Sequence, residues 1–441
     1  ITMSIIKQIA KNTAFLVISD ILSRCISLIF LIYLARKLGD IGLGKYSFIF
    51  SWVGLFTLVS DIGVVPLIIR EVSRDTNKLK YYFHNALSLR IISSILSMVL
   101  SLIILFFYDS TTEVFLSVFL ASLAMLFYNL SEICMALFNA YQKMEYPALM
   151  SIVERIITVC LSIIALLLGF GIIVLVIIYF LSYFVIFLIT LILTIRKLSK
   201  VKLSFDTNAM RSILKESFPF WQATIFYTIY FKINTVMLSL FKGYQEVGWF
   251  NASYSLLESL IFIPVSVARA IFPLMSKLYT TNKDSLVLLF QKAFYYLYVI
   301  GIAIAIGVTI LSDKIIYLIY GTEFSKSITS LQILIWAVLL IFLSTITMNF
   351  LNAINKQRTF SRIAIVATVI NLIANLLLIP RFGYIGSALA TLLTELLILV
   401  LTIYFIKKYG YQINLIGIFI RPLLSGLIMA SVVSYVKYLN I

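Results

Sequence analysis

Long apolar runs separated by short polar intervals fill the chain from end to end, and none alternates as a lipid-facing barrel strand would. A run longer than about 18 residues can cross a bilayer as a helix. Lipid offers no partner for backbone N–H and C=O groups, so only helices and closed barrels can span it. The pattern predicts thirteen spans, near residues 12–35, 43–69, 81–107, 113–139, 147–169, 171–195, 213–241, 247–273, 288–311, 328–354, 358–379, 383–406 and 416–438. The fold class is therefore all-α and integral to a membrane. Pro66, Pro219, Pro264 and Pro273 are expected to kink their helices, because each removes a backbone donor.

Two stretches repeat. Phe138-Asn139-Ala140-Tyr141-Gln142-Lys143 ends the fourth span, and Leu351-Asn352-Ala353-Ile354-Asn355-Lys356 ends the tenth, 213 residues later. A weaker echo links Asp40-Ile41-Gly42 before span 2 to Glu246-Val247-Gly248 before span 8. An even helix offset predicts a parallel repeat about an axis along the membrane normal. The expected organisation is two pseudo-symmetric six-helix bundles, residues 1–196 and 213–406, joined by a basic linker at 197–212. Residues 407–441 then supply a thirteenth helix. A lone C-terminal helix lacks the second arm of a hairpin, which predicts a fourteenth beyond Ile441.

Composition agrees with this reading. Charged residues make up 12% of the 441 and hydrophobic ones 62%, with mean hydropathy +1.07; soluble domains carry about 25% charged residues. The net charge of +17 does not mark a nucleic-acid binder, because Lys and Arg are spread over short loops and form no single patch. Basic residues on the N-terminal side of the membrane outnumber those on the other by more than two to one, which places the N-terminus in the cytoplasm. Lys7 and Lys11 precede a full-length span with no small-residue cleavage site, so this segment reads as a first transmembrane helix in a multi-pass protein of the cell membrane. Cys25, Cys134 and Cys160 stand at no metal or redox spacing and read as small core residues.

No GxxxxGK[ST], HExxH, GxSxG or Cys/His cluster occurs, so neither catalytic residues nor a metal or cofactor is expected. The informative residues are charges inside the spans: Asp20, Arg24, Asp61, Arg90, Glu132, Glu154 and Arg155 in the first half, and Lys232, Glu258, Arg269 and Glu395 in the second. Each costs several kcal/mol in lipid unless paired or set in a hydrated cavity. Asp20 and Arg24, four apart on one helix face, can pair, and any one charge can serve packing alone. The whole set is better explained by a hydrated central cavity, whose cations Arg24, Arg90, Lys232 and Arg269 suit an anionic diphosphate. Asp20, Asp61, Glu132, Glu154, Arg155 and Glu258 would then balance charge or carry protons. Asn371 and Asn375, also four apart, and Thr391 on the next span could hold a cation or hydrogen-bond between helices.

Leu34-Ala35-Arg36-Lys37-Leu38-Gly39-Asp40-Ile41-Gly42-Leu43-Gly44-Lys45-Tyr46-Ser47 resembles the Wzx-type O-antigen/polysaccharide flippases of the multidrug/oligosaccharidyl-lipid/polysaccharide superfamily. So do Val247-Gly248-Trp249-Phe250-Asn251-Ala252, Phe272-Pro273-Leu274, Tyr320-Gly321-Thr322-Glu323-Phe324 and Gly383-Tyr384-Ile385-Gly386-Ser387-Ala388. The motifs recur in order along nearly the whole chain. The resemblance implies two six-helix lobes in a V, alternating access, and a polyprenyl-diphosphate-linked oligosaccharide carried to the outer leaflet, with glycan-assembly proteins as partners. It also implies that Arg24 and Arg269, on helices 1 and 8, engage the diphosphate. A sodium site in relatives resembles Asn371, Asn375 and Thr391, but its usual helix-7 Asp is Asn234 here, beside Lys232. Coupling to Na⁺, H⁺ or the membrane potential is left open. The alternatives are a multidrug/cation antiporter, a lipid II flippase, and a membrane glycan polymerase or ligase; the short outer loops count against the last.

Overall fold

A computed structural model describes residues 2–109, 111–198, 203–412 and 415–438, although side chains at several positions, chiefly before Ile21, lie outside the described set. Among the described residues, fourteen α-helices and two single 3₁₀ turns make up the secondary structure. Ten helices among the described residues are long and apolar enough to cross a bilayer, eleven if the bent pair Ile21–Ser60 and Val64–Arg74 counts as one. The chain is a multi-pass membrane protein.

The expected first span and most of the second fall within one helix, α1 (Thr2–Ser60), interrupted at Gly39 (φ 70°, ψ −172°). A left-handed φ costs glycine nothing, so the chain turns there without a loop. The eighth expected span is likewise divided between two helices, and the last corresponds to α14 (Leu415–Tyr438). The second expected span breaks three residues before its proline. Helix α1 ends at Ser60, Gly63 takes φ 74°, and α2 (Val64–Arg74) leaves at 48°. Asp61 stabilises the break by accepting the Gly63 N–H at 3.3 Å. Pro66 lies in the first turn of α2, where its missing N–H costs nothing.

The chain divides into two compact units: Ile1–Leu38 with Lys45–Val236, and Gly39–Gly44 with Met237–Ile441. The first holds α3 (Leu79–Tyr108), α4 (Thr112–Ala140), α5 (Glu145–Leu167), α6 (Ile172–Lys197) and most of α7 (Thr207–Lys242). Helix α4 packs on α2, α3 and α6, and its small buried residues Ser117, Ala121, Ala124 and Ala136 let neighbours approach. Serines tie α3 to the second half of α1. Ser97 donates to the Phe56 carbonyl at 2.6 Å and Ser93 to that of Ser60 at 3.1 Å. Trp221 on α7 donates to the Leu58 carbonyl at 2.7 Å, just before the 61–63 break.

The second unit holds α8 (Tyr244–Leu260), α9 (Phe262–Thr281), α10 (Lys283–Ile319), α11 (Ser327–Ala353), α12 (Gln357–Phe382), α13 (Tyr384–Lys408) and α14. Helix α11 packs against α8, α9, α10 and α13, α12 lies against α13, and α14 lies on α10. The expected kink near Pro264 is the break between α8 and α9 at Ile261; Pro219 and Pro273 sit inside α7 and α9. Lys437 ties α14 to α10, donating to Asp313 and to the Ile310 carbonyl, both at 2.7 Å. Both side chains of that ion pair are about a third exposed, so Lys437→Ala is expected to cost no more than about 1 kcal/mol. A thermal melt in detergent should show little change.

The repeat is visible in the backbone. After α4, Gln142 adopts φ 60°, its N–H bonds the Asn139 carbonyl, and Lys143 N–H reaches the Phe138 carbonyl at 2.9 Å. After α11, Asn355 adopts φ 60°, bonds Asn352, and Lys356 N–H reaches Leu351 at 2.8 Å. These are Schellman turns on non-glycine residues, the only two left-handed non-glycine positions among the described residues. The weaker echo shifts by two residues. Gly39 pairs with Gly243 (φ 82°), and Gly44 with Gly248. Gly44 packs on the Tyr244 carbonyl and Gly248 on the Asp40 carbonyl, a reciprocal contact between repeat-related residues inside the second unit. Asp40 accepts from Gln245 Nε2 and Trp249 Nε1, both at 2.9 Å.

Candidate functional site

Arg90 on α3 is the centre of a buried polar cluster in the first unit, 1% exposed. Its Nη1 donates to the Ser60 carbonyl at 2.8 Å and to Asp61 at 2.9 Å. Its Nη2 donates to Asn129 at 3.0 Å and to Glu132 at 3.3 Å, both on α4. The unwound residues after Ser60 free a carbonyl for this bond, which links the α1–α2 break to the arginine. Tyr128 donates to the other Glu132 oxygen at 2.8 Å, and its ring meets Tyr183, whose hydroxyl bonds that of Tyr179 at 2.9 Å. A small cleft lies beside the cluster, lined by Ser60, Ser94, Ser97, Ser122 and Asn129. The expected cavity cation is thus enclosed by acceptors of its own unit. Asp61 and Glu132 stay about a third exposed beside it.

The remaining expected residues are distributed over both units. Arg24 is exposed on α1, and Asp20's side chain lies outside the described residues, so the expected pairing between them is not described. Glu154 is 6% exposed, accepts the Thr158 hydroxyl at 3.0 Å and stands 4.0 Å from Arg155. Lys232 lays its aliphatic stem over Gly54, and Asn234 is buried on the same helix, α7. In the second unit Arg269 is exposed on α9 and Glu258 half-buried on α8. Cys134 is buried, but Cys25 and Cys160 are exposed, which corrects the expectation that all three are core residues.

Asn371 and Asn375 lie one turn apart on α12, and Thr391 lies on α13, the helix packed against it. Asn375 Nδ2 donates to the Asn371 side-chain oxygen at 3.0 Å, and Asn371 Nδ2 donates to Thr394 at 3.1 Å. Thr391 donates to the Ser387 carbonyl at 3.0 Å. Asn234 belongs to the other unit. No group of three or more His, Cys, Asp or Glu side chains among the described residues could hold a metal ion.

Residues missed from the sequence include Asn129, which completes the Arg90 cluster, and Glu246, whose carboxylate accepts the Tyr384 N–H at 2.8 Å. Asn129 sits three residues before Glu132, a helical spacing that could have flagged it.

A helical membrane fold with ionic groups inside its spans is that of a polytopic transporter. The chain belongs to the polysaccharide biosynthesis protein family, whose model matches residues 9–279. A second family model, for the lipid II flippase MurJ, matches residues 249–440. The chain is 23% identical to the probable low-salt glycan biosynthesis flippase Agl15 of Haloferax volcanii, over 96% of this chain and 89% of that one. It is 27% identical to the uncharacterized membrane protein MJ1068 of Methanocaldococcus jannaschii, but over only 40% of this chain and 35% of that protein. Among solved structures, the inward closed conformation of the lipid II flippase MurJ aligns with TM-score 0.78 at 19% identity, covering 96% of this chain and 92% of that one. An inward-facing multidrug resistance MATE family transporter aligns at 0.70 and 14% identity, over 88% and 95%. These establish the transporter fold.

Proposed function

We propose that the protein is a flippase for polyprenyl-diphosphate-linked oligosaccharide, moving it from the cytoplasmic to the outer leaflet of the cell membrane with its own N-terminus in the cytoplasm. The observation that carries this reading is the near full-length similarity to a glycan flippase within a polysaccharide biosynthesis family. The chemistry is consistent with it. A glycan headgroup and diphosphate must cross about 30 Å of hydrocarbon, and an exposed arginine within a membrane helix requires water or an anion nearby. Arg24 and Arg269 meet that description, one in each unit, and a guanidinium matches a diphosphate through paired N–H donors. Lys232 adds positive charge, while Arg90 is assigned to holding the first unit together. No bond is made or broken in the cargo, so the protein is a carrier and not an enzyme.

The test is complementation of a strain lacking its glycan flippase. Arg24→Ala and Arg269→Ala are each expected to reduce surface glycan at unchanged protein level, and Arg→Lys to restore only part of it. Intact export in both alanine variants would remove the diphosphate assignment. A gain in drug resistance without glycan export would favour the multidrug alternative.

A further inference from the structure

Five aromatic side chains of the first unit form a continuous row that none of the assignments above uses. Tyr46 and Phe50 lie one turn apart on α1 with ring centroids 4.7 Å apart, and Phe50 meets Tyr179 of α6 at 4.6 Å. Tyr179 meets Tyr183 at 4.7 Å, and Tyr183 meets Tyr128 of α4 at 5.2 Å. Tyr183 is buried, while the other four keep part of their surface open. At one end Tyr128 donates to Glu132 at 2.8 Å. Along the row, the Arg155 guanidinium of α5 lies within electrostatic reach of Tyr46, Tyr179 and Tyr183. Its Nε has no hydrogen-bond partner among the described residues, and Glu154 Oε2 stands 4.0 Å away, so no close carboxylate locks it in place.

This face meets water and not lipid. Tyr128, Arg155 and Tyr183 each lie at least ten residues, or about 15 Å of helix, from both ends of their helices. Tyrosines that face lipid gather at the two membrane interfaces. A partly exposed charge at mid-span requires water around it, and Arg155 is 29% exposed and Glu132 35%. The charges of the face also balance. Asp61, Glu132 and Glu154 stand against Arg90, Arg155 and Lys232, whose stem covers Gly54, one turn beyond Phe50 on the same side of α1. A diphosphate needs an excess of cations, whereas a neutral polyol needs donors, acceptors and apolar rings side by side.

We propose that this face is a sugar-binding surface that takes uncharged pyranose rings of the cargo glycan. This rests on the flippase reading above. The C–H faces of a pyranose lie against the Tyr46, Phe50 and Tyr179 rings. Its hydroxyls donate to the remaining lone pairs of Glu132 and Asp61 and accept from the Arg155 guanidinium, while the phenol hydroxyls do either. The consequence is selectivity. Cations that hold a diphosphate bind every polyprenyl diphosphate alike, and the aromatic row separates the glycan-loaded carrier from the empty one.

The test uses the full chain in lipid nanodiscs and two radiolabelled probes, polyprenyl diphosphate alone and the same lipid bearing one N-acetylglucosamine. The wild type should bind the sugar-bearing lipid about tenfold more tightly. Arg155→Gln should bring that ratio close to one, as expected when a hydrogen bond to a charged group is lost, and Tyr179→Phe should lower it about threefold. Phe50→Leu, which removes a ring but no hydrogen bond, should lower it as well. A wild-type ratio near one, or variants that weaken both lipids equally, would overturn the proposal. Discrimination by a protein that moves neither lipid across proteoliposomes would refute the flippase reading alone. Translocation without discrimination would refute the sugar surface alone, and binding of neither probe would refute both.

Discussion

Arg90→Ala is expected to destabilise the first unit by about 3–5 kcal/mol, the range found when one partner of a buried ion pair is removed. The substitution deletes four hydrogen bonds at once, to the Ser60 carbonyl, Asp61, Asn129 and Glu132. It leaves two carboxylates facing each other with no cation between them, and it frees the carbonyl where α1 unwinds. Arg90→Lys should recover part of the loss, since an ammonium keeps the charge but cannot span the same acceptors. Arg90→Met with Asp61→Asn and Glu132→Gln should be more stable than Arg90→Ala, because it removes the stranded charges. The natural reporter is Cys134, buried in the same unit, in a background where exposed Cys25 and Cys160 are replaced by serine. Its reaction with a thiol dye on heating should begin at a lower temperature in Arg90→Ala. An unchanged onset would show that the cluster contributes little.

The second large effect is expected at Gly44 and Gly248. A Cβ at Gly44 would run into the Tyr244 carbonyl, and one at Gly248 into that of Asp40. Neither neighbour is a side chain that could rotate away, so Gly44→Val and Gly248→Val should each cost at least the ~1–3 kcal/mol of ordinary overpacking. Gly171 offers a control, because nothing stands within 4 Å of a Cβ there and its φ of −87° is open to any residue, so valine at that position should cost about 1 kcal/mol or less. Fluorescence-detected gel filtration after heating would separate it from the other two. Equal behaviour would mean that the reciprocal contact is not tightly packed.

Much of the fold is legible in the sequence because a bilayer demands long apolar helices, and such runs survive any tertiary context. The repeat is legible at Asn139 and Asn352 because the same helix-ending turn needs the same residue pattern in both halves. What is not legible is where a helix yields. Pro66 is the conspicuous breaker in span 2, yet the break falls at residues 61–63, where Gly63 can turn left-handed and Asp61 can accept its N–H. The role of Arg90 is likewise hidden. Its partners lie 29 to 42 residues away, and only folding decides whether a mid-span cation meets substrate or its own acceptors. Arg24 and Arg269, by contrast, are exposed. Glu395 stands out in sequence as an intramembrane charge, but its seat beside Ser344 is a product of the α11–α13 packing.

Translocation of a lipid-linked glycan is measured directly in purified proteoliposomes. A fluorescent polyprenyl-diphosphate oligosaccharide is placed in one leaflet, and its arrival in the other is read by a membrane-impermeant quencher. The expected result is protein-dependent crossing of intact, unextended glycan, slowed by Arg24→Ala and Arg269→Ala. No crossing by a correctly folded protein, or glycan that emerges lengthened, would contradict it.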